Sequence, residues 1–132
     1  MSPEKQRIAI AMACGHTFEW QGDTGSLWVV APNRLILDVR FPNKHSREET
    51  LNDSGQSLPD YLNDLNAMHL AESVLTYDQT ETYQNGLANM VRGQPFEGYC
   101  HWSDIGSVFV AHASAPQRAE AFLKTLSLWT ED

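Results

Sequence analysis

The chain has 132 residues, 42% hydrophobic and 20% charged, with nine Lys and Arg against seventeen Asp and Glu for a net charge of −8. This length predicts one domain with a real core, and the composition is that of a globular protein rather than a disordered one. No apolar run is long enough to span a bilayer and the start shows no leader pattern, so the expected compartment is cytoplasmic, with no membrane partner.

Ser2-Pro3 reads as an N-cap followed by proline at the first helical position. Ile8, Ala11 and Met12 share a face, and Gly15 is a stop, predicting a helix over 3–14. Three strand-like runs follow at 17–21, 26–31 and 34–41, rich in Val, Ile, Leu, Trp and Phe. Pro32-Asn33 between the last two predicts a hairpin. In the third run Leu35, Leu37, Val39 and Phe41 alternate with Ile36, Asp38 and Arg40, as expected for a half-buried antiparallel strand. From 42 to 57 the composition turns polar and predicts a loop.

The longest helix signal runs over 58–75. Pro59 suits its start, and Asp60 and Asp64 suit its positive end. Tyr61, Leu65, Met68, Ala71 and Leu75 fall on one arc, Glu72 lies inside that arc and His69 at its rim. Thr76-Tyr-Asp-Gln79 has capping-box form, and Tyr83, Leu87, Met90 and Val91 continue a helix over 77–92 that Gly93 closes. A second hairpin is predicted over 96–112, turning at 103–106. Ser114 caps a last helix over 115–129, with Ala115, Ala119, Phe122, Leu126 and Trp129 on one face and Arg118 at its edge.

A carboxylate on a core-facing stripe must find a partner or hold its proton. Arg118 is the expected partner of Glu72 in a structural ion pair. The alternatives are an acid/base or ligand pair of His69 and Glu72, or a Glu72 turned to solvent. Cys14 and His16 with Cys100 and His101 would make a Cys₂His₂ metal set, but nothing brings the two pieces together, and no metal or other cofactor is expected. The cysteines form no CxxC and read as buried thiols, with a disulfide as the alternative. Ser103-Asp104 near His101 lacks a nucleophile elbow, and no glycine run has a P-loop setting. Trp20, Trp28 and Trp102 would form a binding platform if they shared an exposed sheet face.

Charge is unevenly placed. Residues 48–91 hold eight acids and no Lys or Arg, while the rest of the chain holds nine of each. Such a block argues against direct nucleic-acid binding, which needs a basic footprint. It fits a solvated acidic face or a surface for a basic partner, with Asp60, Asp64, Asp78 and Glu81 as the candidate contacts.

Three stretches, 7–15 (RIAIAMACG), 58–69 (LPDYLNDLNAMH) and 109–129 (FVAHASAPQRAEAFLKTLSLW), together resemble the phage ABA sandwich domain, a family of small phage and prophage proteins. The match is poor over 16–57, and Leu70 stands where the family pattern has Glu. The resemblance implies an α+β fold, a layered α-β-α sandwich, which agrees with two antiparallel hairpins and about four helices. It implies no activity and no catalytic residues. The expected function is that of a non-enzymatic phage or prophage accessory protein that binds a basic host or phage protein, including a counter-defence role in which an acidic surface fills a nucleic-acid channel. A small-ligand binder or enzyme built on His69 and Glu72, and a homo-oligomeric accessory module, are the other two readings.

Overall fold

The computed structural model describes residues 1–22, 25–43, 45–92 and 113–131. The fold is α+β, with five α-helices and a three-stranded antiparallel sheet among those residues. The chain groups into two compact units, Met1–Asp60 and Tyr61–Glu131.

The first unit opens with α1, Pro3–Ala13, where Ser2 Oγ accepts from the Lys5 N–H at 3.3 Å and Pro3 needs no donor. Gly15 ends it at φ +97°, a left-handed geometry that only glycine adopts without strain. Ile8 and Ala11 are buried as predicted, Ile10 is buried with them, and Met12 is 58% exposed instead of sharing their face.

Strands β1 (Thr17–Trp20), β2 (Leu27–Val30) and β3 (Ile36–Arg40) pair in that order. Opposite residues share a face, so Trp20, Leu27 and Arg40 lie on one side and Glu19, Trp28 and Val39 on the other. Trp20 and Trp28 therefore occupy opposite faces and form no common platform; Trp102 lies outside the described residues. Val29 opposes Asp38 but Val30 opposes Ile36, so Leu37 is skipped. This bulge breaks the predicted alternation and puts Ile36 on the face of Val39. Leu27 and Val29 are fully buried, while Leu35, Ile36, Leu37, Val39 and Phe41 are all exposed.

Within the segment over 42–57, residues 47–57 are helical rather than a loop. Ser46 Oγ accepts from the Glu49 N–H at 3.1 Å and caps α2, Arg47–Asp53, which runs on into a tight turn at Ser54–Ser57. Its polar composition marks an exposed helix: only Thr50 of α2 is buried, against Ser54 and Gly55 in the turn.

In the second unit the central helix is shorter than its signal. Residues 61–63 form a turn, and α3 spans Leu65–Glu72, capped by Asp64. Tyr61, Leu62, Met68 and Ala71 are buried as expected, but Leu65 at the first helical position is 44% exposed. Helix α4, Tyr77–Arg92, begins at a reciprocal cap: the Gln79 N–H donates to Thr76 Oγ1 at 3.3 Å, and the Thr76 N–H donates to Gln79 Oε1 at 2.9 Å. Helix α5, Ala115–Thr125, has the same device at Ser114 and Gln117 and packs on α3 and α4. It stops before Trp129, because Ser127 takes φ +60°, and Trp129 Nε1 instead donates to Glu131 at 3.0 Å. Met68, Leu87, Ala119, Phe122 and Leu123 are fully buried, and Tyr83 nearly so. Gly93 and the second hairpin predicted over 96–112 lie outside the described residues. No described helix is long and apolar enough to cross a membrane.

Candidate functional site

Glu72 ends α3 and Arg118 sits in the first turns of α5, so the α3–α5 packing brings them together. Arg118 Nη1 donates to Glu72 Oε1 at 3.2 Å, and Arg118 Nε donates to the Ala113 carbonyl at 3.3 Å. Only 5% of Arg118 is exposed, so this guanidinium is held in the core by its acceptors. Tyr83 of α4 is buried beside the pair, and its hydroxyl has no well-formed hydrogen bond. Burial first, and then the negative charge of Glu72, push the phenol well above its usual range. His69 approaches the same Glu72 oxygen, with Nδ1 at 3.6 Å, and its side chain is 55% exposed. That is ion-pair range for a protonated imidazole and too long for a hydrogen bond. The cluster ties α3 to α5, with the guanidinium on one oxygen of a carboxylate whose side chain is 21% exposed.

The four acids proposed as a partner surface divide by role. Asp60 Oδ1 accepts from Arg7 Nη2 at 3.0 Å in the first unit. Asp64 Oδ1 accepts from the Asn66 N–H at 2.9 Å and caps α3. Both serve the fold. Asp78 and Glu81 are exposed on α4, and beside them Tyr77 is 87% exposed. Tyr77, Thr80, Glu81 and Gln84, at i, i+3, i+4 and i+7 on one helical stripe, line a shallow recess of about 260 Å³.

Tyr77 was not among the residues singled out in the sequence. The signal was present: an aromatic at the first helical position, off the Tyr83–Leu87 core stripe, has no apolar neighbour one turn on.

A further polar cluster lies in the first unit. Asp38 Oδ2 accepts from Ser57 Oγ and, at 2.7 Å, from Arg40 Nε, while its Oδ1 accepts from the Val39 N–H at 2.9 Å. The Ser57 hydroxyl, and then Arg40, hold its carboxyl below the ordinary value against the opposing effect of burial. Arg40 also lines a recess of about 300 Å³ with Phe41, His45, Thr50 and Asp53. His45 is engaged by Glu49 at 2.9 Å.

Among the described residues no three His, Cys, Asp or Glu side chains converge as a metal site. Cys14 is half-buried at the end of α1, and His16 Nδ1 lies 3.1 Å from the Ala11 carbonyl oxygen. Cys100, His101, Ser103 and Asp104 lie outside the described residues. Compared with known proteins, the chain matches no family model, no curated protein and no solved structure.

Proposed function

We propose that this chain is a non-enzymatic protein-binding module of phage or prophage origin, acting in the host cytoplasm on a partner with a basic surface. The observation that carries the reading is the start of α4, where a tyrosine 87% exposed stands beside the exposed Asp78 and one turn from the exposed Glu81. Tyrosine is enriched among binding anchors because it offers a large rigid ring at low entropic cost. The lack of any Lys or Arg over 48–91 leaves the local field negative, which steers a cationic partner and repels nucleic acid. The phage setting is supported by the resemblance of the 7–15, 58–69 and 109–129 stretches. A counter-defence role is one form of it, in which the acidic helix occupies a channel built for nucleic acid.

The test is affinity capture from host lysate with the wild-type chain and with Asp78→Asn/Glu81→Gln, at low and high salt. The expected result is a basic protein held by the wild type, released by salt and lost from a variant whose circular dichroism is unchanged. The same captured set for both proteins would overturn the acidic-surface reading.

A second reading, that of an oligomeric accessory module, draws on the exposure of Leu35, Ile36, Leu37, Val39 and Phe41 along β3 and its flanks, of which Ile36 and Val39 share one face of the sheet. Light scattering of the wild type against Val39→Lys tests it. A concentration-dependent dimer lost in the variant supports self-association, and a monomer throughout removes it.

A further inference from the structure

We propose that the stripe formed by Tyr77, Thr80, Glu81 and Gln84 is a receptor for a single arginine side chain presented by the basic partner. This rests on the protein-binding reading and names its contact. Among the described residues these four line the recess of about 260 Å³, and they offer a ligand one aromatic ring, one carboxylate, one hydroxyl and one amide. Tyr77 and Glu81 are one helical turn apart, and neighbours at that spacing reach the same bound group.

A guanidinium fits that set. It is planar and weakly hydrated, so it stacks on the Tyr77 ring while its N–H fork points at the Glu81 carboxylate. Thr80 Oγ1 donates to the Thr76 carbonyl at 2.8 Å and so can act only as an acceptor toward a ligand, and Gln84 supplies an amide oxygen. A lysine ammonium keeps its hydration shell more tightly and cannot stack, so it is the poorer ligand. A phosphate would meet the Glu81 carboxylate, and none of the described lining residues carries a positive charge.

The plain alternative is that acids at the start of α4 serve only its helix dipole. That accounts for Asp78 in the first turn. It does not account for Glu81 in the second turn, where the dipole has little effect, nor for the almost complete exposure of Tyr77.

The experiment is an NMR titration of the full chain with acetylated tetra-arginine amide, with the tetra-lysine peptide and with the neutral citrulline analogue. The arginine peptide should shift the amides of 77–84, lysine should bind more weakly, and citrulline should leave the spectrum unchanged. Tyr77→Ala and Glu81→Gln should each weaken arginine binding by roughly two- to fivefold, and Tyr77→Phe, which keeps the ring, should restore most of it. Silent α4 amides, or variants that bind as the wild type does, would overturn the site. Shifts confined to other acidic residues would overturn it too, yet leave the broader protein-binding reading in place. Equal binding of citrulline would remove the charge argument and the site with it.

Discussion

Arg118 of α5 reaches across to Glu72 at the end of α3, and the 3.2 Å bond between them is made by an arginine with only 5% of its surface in water. Removing one side of such a bond strands the other. Glu72→Ala should lower stability by about 1.5–3 kcal/mol, read from the urea midpoint. Arg118→Met should cost less, since the apolar stem still fills the space and Glu72 retains access to water. Equal and negligible effects from both would show that the pair contributes nothing to the fold.

Tyr83 makes the second unit sensitive to alkali. Its folded pKa is raised, so its contribution is fully present below the unfolded value near 10 and is lost as pH rises above it. The wild type should therefore lose stability steadily above about pH 10, with a late tyrosinate absorbance that coincides with unfolding. Tyr83→Phe should flatten that slope and change neutral stability little, because the lost hydroxyl had no well-formed bond. A variant as alkali-sensitive as the wild type would place the effect elsewhere.

Asp64 offers a clean separation between fold and recognition. As the cap of α3 its loss through Asp64→Ala should cost about 1 kcal/mol, measured by thermal unfolding. Partner capture, where the protein remains folded, should be unaffected. Glu81→Gln should behave in the opposite way, with little change in melting and weaker capture. Reversal of the two results would exchange their roles.

Asp38 sets an acid limit on the first unit. Its folded pKa is lowered, chiefly by the Ser57 hydroxyl, so its contribution is present above the unfolded value of about 3.9 and is lost as pH falls through the folded one. Ser57→Ala should shift the acid transition of this unit to higher pH. An unchanged acid titration curve would exclude the hydroxyl as its cause.

Much of the secondary structure was readable because the chain marks its helix ends. Ser2-Pro3, Thr76 with Gln79, and Ser114 predict caps that the structure contains, and Gln117 completes a capping box at Ser114. The strands at 17–20, 27–30 and 36–40 follow their runs of β-forming residues. The failures have physical causes. Helix α2 was hidden because an exposed short helix and a polar loop share a composition, although Ser46 and Glu49 carry the cap signature. Helix α3 starts late because Asp64 caps more effectively in extended geometry than as a helical residue. The bulge at Leu37 arises from strand pairing and has no local signature. The Glu72–Arg118 contact followed from the demand of a carboxylate on an inward arc, whereas the exposure of Tyr77 depends on which helices pack around α4.

The bond between Asp38 and its neighbour's amide has a bearing on handling and solubility. Asp38 Oδ1 occupies the Val39 N–H on a strand that lies at the sheet edge among the described residues, within a row of exposed Leu, Ile, Val and Phe. A charged group on such an edge keeps it from templating another chain. As pH falls, the mutual repulsion of molecules vanishes first, near their isoelectric point of 4.9, and the Asp38 charge is lost only at more acid pH. Clouding of the solution, rather than a reversible loss of helix, is then the event that sets the lower end of the working pH range.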